Sequence, residues 1–412
     1  MAAFESGVAV PADQTSIPLE ANASAAAVSL AYYPKKIKSV ETRVSIMKVL
    51  HLNAGNETGG GMFHILSLLN QLDRESFVLG VCEEGEMLKR ARELGIRTVV
   101  FRQSRQLDLR VMKKLRHYIK EENIDIIHTH GPRANVIVHA MKHWLDIPWV
   151  VTVHSDPRDD FMGKGLKGNL MRRLQQRTIR SADHCIAISE RFKKVLLDFS
   201  IPQEKITTIL NGLDFDYQME RPYTREELGF QETDFLVVMV ARLEPVKQHA
   251  LAFVAFREVL KKYPKCKLVL VGDGPERNNL VNLASKLHME EAIYFLGHRN
   301  DVDRILPMMD VELLTSKSES FPLVLLEAAR AEVPVISTDV GGVKQLVLSE
   351  EYGWLVQDLS KNSIAVAIAE AVEWKEEGKL KGVGEALHNH AAANFSIDQF
   401  ASQVQSVYKK LH

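Results

Sequence analysis

Cysteine, net charge and long apolar runs are all scarce in this chain, and each shortage closes off a class of function. The three cysteines, Cys82, Cys185 and Cys266, lie far apart with no metal-ligand spacing. Such a set suits free thiols in a reducing compartment rather than a disulfide framework. The 52 basic and 53 acidic residues leave a formal charge of −1. That balance argues against a nucleic-acid partner, which would need a strong basic field. No apolar run reaches the roughly 18 residues that span a bilayer. Residues 1–34 contain no lysine or arginine, so the positive start of a secretory signal is missing. Residues 1–42 therefore read as an extension outside the folded part, and the chain as cytoplasmic. The Gly-Lys-Ser/Thr ending of a P-loop is absent too, as is the dinucleotide fingerprint.

What is present is a soluble composition, 46% apolar and 25% charged over 412 residues, enough for two domains with full cores. Short β-rich runs alternate with helical patterns. The first set is 47–52, 77–82, 98–101, 124–128, 149–153, 185–188 and 206–210. Most are continuous rather than alternating, the mark of parallel strands covered on both faces. A polar, proline-containing passage follows Asn211-Gly-Leu-Asp214. The alternation then resumes at 235–240, 267–271, 293–296, 311–314 and 333–336. The fold class is α/β: two doubly wound, Rossmann-like domains, 43–214 and 215–395, facing across a cleft at the carboxyl ends of both sheets. Ser396 and Gln399 form a capping-box pattern that opens a terminal helix within 396–412.

The densest chemistry lies at Glu319-Ser-Phe-Pro-Leu-Val-Leu-Leu-Glu327. In one continuous helix the two carboxylates, eight positions apart, would sit about 80° apart around the axis. Pro322 favours the first helical position instead, leaving Glu319 in a loop and Glu327 inside the helix, with the first-turn N–H groups free to meet an anion. The plainer alternative is a buried helix with one solvated and one satisfied glutamate. Gly59, Gly60 and Gly61 form a strand-to-helix turn where backbone can approach phosphate. Arg242 and Lys247 follow the first strand of the second unit, placed to hold a diphosphate or to be two surface cations. Gly272 and His298 stand at the next two strand ends, and His154 follows 149–153.

The bare Asp-x-Asp patterns at 214–216 and 301–303 suit a linker and a helix cap better than a metal, so no metal is expected. The segment 161–182 carries Lys164, Lys167, Arg172, Arg173, Arg177 and Arg180 with no acid before Asp183. It reads as a solvated helix, with peripheral contact to anionic lipid as the alternative.

Taken in order, the Asn-Gly-Leu-Asp at 211–214, Arg-Leu-x-x-x-Lys at 242–247, Gly-Asp-Gly-Pro at 272–275, Glu-x7-Glu at 319–327 and Thr-Asp-Val-Gly-Gly at 338–342 resemble the retaining GT-B glycosyltransferases of the group-one family (family four). The resemblance covers roughly 47–412. It implies an acceptor-binding first domain, a second domain for a nucleotide-sugar donor (usually a UDP-sugar), and a terminal helix that packs back on the first domain. It further implies that Glu319 meets sugar hydroxyls near the reacting carbon and Glu327 the ribose diol. Arg242 and Lys247 would hold the diphosphate with main-chain groups of Phe321, Pro322, Leu323 and Val324. His154 would stand beside the sugar, and Gly59–Gly61 would approach the phosphates. No cofactor is implied beyond the donor substrate, and the acceptor would be a glycan or lipid-linked molecule of cell-surface polysaccharide synthesis. Departures from the family pattern are Ala241 and Gln248, where glycines are usual, and Lys344-Gln345, where Pro-Glu is common. A nucleotide-sugar 2-epimerase of similar fold and a non-catalytic sugar-nucleotide binder are the competing readings.

Overall fold

The computed structural model describes residues 47–412, apart from 58, 104–107, 159–164 and 219. The N-terminal stretch read as an extension lies outside the described residues. Seven parallel strands form the first sheet: β1 (Val49–Asn53), β2 (Phe77–Val81), β3 (Thr98–Val100), β4 (Ile126–His130), β5 (Trp149–Val153), β6 (His184–Ala187) and β7 (Ile206–Thr208), in the order β3-β2-β1-β4-β5-β6-β7. Six more form the second: β8 (Phe235–Val240), β9 (Cys266–Val271), β10 (Ile293–Gly297), β11 (Val311–Leu314), β12 (Val335–Thr338) and β13 (Gly353–Val356), in the order β10-β9-β8-β11-β12-β13. Both orders reverse direction once, between β1 and β4 and between β8 and β11. Ligands of open α/β sheets bind at the carboxyl end of such a reversal.

Continuous apolar strands such as Phe235-Leu-Val-Val-Met-Val240 are buried along their whole length because helices cover both faces. One core of the first sheet gathers β4, β5 and the helices Leu109–Glu121 and Pro132–Met141. The other gathers β1, β2, the helix Gly60–Gln71 and, from the far end of the chain, Phe400, Val404, Val407 and Tyr408 of the helix Ile397–Leu411. That last helix is amphipathic, with its apolar positions three and four apart. Ser396 caps it by accepting the Gln399 N–H at 3.3 Å. The Gln399 side chain turns to the Ala393 carbonyl instead of back to the cap.

The chain crosses between the two sheets twice, and the crossings touch. Leu213 N donates to Phe395 O at 3.0 Å, and Ile397 N to Leu213 O at 2.9 Å. A Cβ on Gly212 would stand 2.6 Å from Ser396 O, so the Asn-Gly pair of this passage permits backbone to lie on backbone. Three more contacts tie the domains across the cleft. Ser320 Oγ donates to His154 O at 3.2 Å, Asn211 Nδ2 donates to Phe321 O at 3.3 Å, and the Arg191 guanidinium bonds Ser318 Oγ.

Candidate functional site

The loops after β8 and β11 are laced together. Thr315 Oγ1 donates to Lys247 O at 2.9 Å, and Lys317 N donates to Val246 O at 2.8 Å. This lacing brings two of the singled-out side chains into contact: Lys247 Nζ lies 2.6 Å from Glu319 Oε1, with side-chain exposures of only 18% and 14%. Arg242, half exposed, holds Glu244 Oε1 at 2.5 Å instead. The loop after β9 lies against the same turn. Leu243 N donates to Asp273 O at 2.9 Å, and Gly272 N donates to Gly297 O at 2.7 Å. A Cβ on Gly272, at φ +146°, would meet Ala241 O at 2.0 Å. Gly272 therefore serves close approach of backbone to backbone, and His298 follows on the neighbouring strand.

Glu319 and Ser320 precede the helix Leu323–Arg330. Pro322 stands at the N-cap, with φ −72° and ψ 113°, one position earlier than the expected first helical residue. The extended ψ turns the chain out of the helix before Leu323, and Glu319 stays in the loop. Phe321, Pro322 and Leu323 are buried and Val324 is partly exposed. The Gly341-Gly342 turn closes over this start: Gly342 N donates to Ser320 O at 3.1 Å, and a Cβ on Gly341, at φ +58°, would meet that same oxygen at 2.1 Å. Glu327 lies within the helix, buried, with Oε1 unpartnered among the described residues. Burial lifts its pKa to about 7; Arg330 pulls it down and Asp303 pushes it up further.

On the facing domain, Gly59 (φ 73°) caps the helix Gly60–Gln71 without a side-chain bond, and the Glu57 carboxylate lies close beside Gly61. His154 follows β5 and carries the carbonyl that Ser320 reaches. Gly59–Gly61 follow β1 of the first sheet and Arg242 and Lys247 follow β8 of the second, and among the described residues no hydrogen bond joins the two sets.

Several groups at this site escaped the sequence reading. Arg191, Ser318, Ser320 and Asn211 bridge the lobes, and nothing in their spacing announces it. Behind His154 stand His130, His128, His51 and His64, all buried. The ligand nitrogens of His51, His128 and His130 lie within 4.8 Å of one another. They are already engaged with each other, with Tyr408, with Thr152 and with His154, which does not fit a metal. The one sequence signal that could have pointed to these histidines is His128-Thr-His130, whose period of two puts both rings on one face of β4. Asp301 precedes a short helix as expected, yet its carboxylate pairs with Arg299 at 2.6 Å and accepts the Tyr223 hydroxyl at 2.6 Å rather than capping. In the basic segment, Lys164 lies outside the described residues. The helix Gly165–Arg180 exposes Arg173, Arg177, Arg180 and, at 66%, Leu170. Among the described residues no helix is long and apolar enough to cross a membrane.

Known proteins share this architecture. The N-acetyl-alpha-D-glucosaminyl L-malate synthase of Bacillus anthracis is 28% identical over 306 residues, 73% of this chain and 78% of its own. The UDP-Gal:alpha-D-GlcNAc-diphosphoundecaprenol alpha-1,3-galactosyltransferase of Escherichia coli is 26% identical over 310 residues, 73% of this chain and 79% of its own. Among solved structures, Anabaena HepE in complex with UDP superimposes with a TM-score of 0.78 at 22% identity, covering 89% of this chain and 100% of that one. A family model described as Glycosyltransferase Family 4 matches residues 58–217, and one described as Glycosyl transferases group 1 matches residues 220–381. With both halves matched in order and the two-sheet fold shared, the chain belongs to the group 1, family 4 glycosyltransferases of GT-B fold.

Proposed function

We propose that this enzyme transfers a hexosyl group from a UDP-sugar, with retention of configuration, to a glycan or lipid-linked acceptor of the cell surface. The observation that carries the reading is the pairing of Lys247 with Glu319 at 2.6 Å beside the start of the helix Leu323–Arg330. A cation, a carboxylate and a set of free helix N–H groups converge there, at the reversal point of the second sheet. The donor's identity is supported by the named UDP-galactose transferase among the relatives and by the UDP held by the similar fold.

Breaking a glycosyl–phosphate bond puts negative charge on the diphosphate and positive charge on the ring. Lys247, Arg242 and the N–H groups at Phe321, Leu323 and Val324 are fixed charges and dipoles for the first; Pro322 has no N–H to give. Glu319 lies against the sugar and Glu327 offers its unpartnered oxygen to the ribose diol. The Gly59–Gly61 turn reaches the phosphates from the facing lobe, with Gly272 and His298 framing the base. The C–O bond to phosphate breaks as the acceptor oxygen bonds the same face of the carbon, and the departing phosphate oxygen takes the acceptor's proton. No separate base is needed, and the cations do the work a divalent ion does elsewhere. The helix carrying Leu170, Arg173, Arg177 and Arg180 reads first as a solvated helix; peripheral contact with anionic lipid at the inner face of the membrane is the alternative that its exposed cations support.

Thermal shift against UDP, GDP and ADP tests the donor: the matching nucleotide at 100 times its Kd stabilises by about 2.7 kcal/mol. Arg242→Ala and Lys247→Ala are each expected to lower turnover by about 10²- to 10³-fold while acceptor KM holds. Unchanged donor kinetics in both variants, or loss of turnover on adding a chelator, removes this reading.

A further inference from the structure

Six side chains form one unbroken hydrogen-bonded array through the core of the first domain. Thr152 Oγ1 meets His128 Nε2 at 2.7 Å, and His128 Nδ1 meets the Tyr408 hydroxyl at 2.6 Å. That hydroxyl meets His51 Nε2 at 3.1 Å, His51 Nδ1 meets His130 Nε2 at 3.0 Å, and His130 Nδ1 meets His154 Nε2 at 2.9 Å. The far end is Thr152 of β5, Tyr408 of the terminal helix stands inside the array, and the near end is the histidine at the cleft.

Burial keeps every ring neutral: it lowers the pKa of His51 to about 3 and holds His128, His130 and His154 well below the ordinary histidine value. A neutral imidazole has one N–H and one lone pair. A ring that accepts on one side must therefore donate on the other, and with the Tyr408 hydroxyl passing its hydrogen along the array has two polarities. In the first, Thr152 donates to His128 and every ring carries its hydrogen on Nδ1. The single unmet group is then the His154 Nδ1–H, at the cleft end. In the second, every ring carries its hydrogen on Nε2. The Thr152 hydroxyl then has no acceptor among the described residues, and His154 Nδ1 is an unmet acceptor as well. A Tyr408 oxygen accepting from both His128 and His51 would leave its own hydrogen and the His154 Nδ1 lone pair both unmet, one more unmet group than in the first polarity. Unmet buried groups destabilise, so the first polarity is favoured.

We propose that Tyr408 and the histidines behind it are positioning residues that hold His154 in its Nδ1–H form, making the cleft end of the array a hydrogen-bond donor. This rests on the glycosyltransferase reading only in that His154 faces the sugar. His64 supplies the complement. Asn211 Nδ2 donates to Phe321 O at 3.3 Å, which turns Asn211 Oδ1 to His64 Nδ1 at 2.7 Å. His64 Nε2 is then a lone pair, also without a partner among the described residues. The His64 and His154 rings meet edge to face with centroids 4.6 Å apart. One offers a donor and the other an acceptor, the pair that a hydroxyl satisfies and a phosphate oxygen does not.

The test is ¹⁵N NMR of the histidine rings in the full chain without donor, each resonance assigned by substituting its residue. In the wild type, His51, His128, His130 and His154 are all expected to carry hydrogen on Nδ1. In Tyr408→Phe both polarities of the segment His51–His130–His154 leave one unmet donor and one unmet acceptor, so His154 becomes a near-equal mixture of tautomers. Thr152→Val, at the far end, is expected to give the same mixture while keeping Tyr408. An Nε2–H ring among the four in the wild type, or a His154 tautomer unmoved in both variants, overturns the proposal. Because the readout needs no turnover, it stands apart from the function: a single Nδ1–H set in a protein that fails every transferase assay overturns the functional reading alone.

Discussion

Glu327 places a carboxyl where ionisation is unfavourable, and the sign of its pH effect follows. Its pKa is about 7 in the folded protein against 4.5 when free, so the folded state binds the proton more tightly. That contribution to stability is whole below pH 4.5 and is lost as pH rises through 7. Glu327→Gln is expected to remove this slope and to exceed the wild type above pH 7 by up to about 3 kcal/mol; urea unfolding from pH 4.5 to 8 measures it. The same variant is expected to raise the donor KM if the carboxylate meets the ribose. Gln248 shows a different expense. It sits at φ 57° and ψ 34°, steadied by its own amide on Pro245 O at 2.9 Å, where the family usually has glycine. Gln248→Gly is expected to stabilise by about 0.5–1 kcal/mol in thermal unfolding, since the left-handed region disfavours a side chain. Ala241, the other departure, is not among the residues with positive φ, and alanine is tolerated there at no strain. The letters alone showed that both positions depart from the family; only the backbone angles separate the harmless change from the strained one.

At the scale of elements, most of what frames the cleft was legible. Most of the strands β1 to β12 read as continuous apolar runs because they are covered on both faces, while the edge strands β3, β7 and β10 are only partly buried; the strand-end loops followed from them. Strand β13 was not found: it is four residues long, begins at Gly353 and follows the polar stretch 349–352. The strand at 333–336 lies two residues later, at Val335–Thr338, because Val333 and Pro334 still belong to the turn. The histidine array was not legible, because its members come from β1, β4, β5, the loop after β5 and the terminal helix, and meet only through the register of β1 with β4 and β4 with β5 and the docking of that helix. The lacing of the loops after β8 and β11 likewise joins segments far apart in sequence. The Gly341 turn tests how much the loop before the helix Leu323–Arg330 depends on a neighbour. Gly341→Ala would drive a methyl onto Ser320 O in a backbone region alanine avoids. It is expected to shift Glu319 and lower turnover at least as much as it lowers Tm, whereas a pure loss of Tm with normal turnover would show the turn to be only a lid on the fold.

The whole molecule is two sheets joined by a pair of touching crossings, and its first domain is unfinished without its last helix. Removing residues 397–412 strips Phe400, Val404, Val407 and Tyr408 from a core they share with β1 and β2. Losing that many buried side chains amounts to several kcal/mol, so the truncated chain is expected to lose the first domain's cooperative unfolding transition while the second survives; calorimetry separates the two. The same arrangement dictates an order of assembly during synthesis. The domain made first must wait, with part of its apolar interior uncovered, until residue 408 leaves the ribosome. The domain made second already holds all its own strands by then. Maturation therefore runs against the direction of translation, and the nascent first domain is the species that a chaperone would meet.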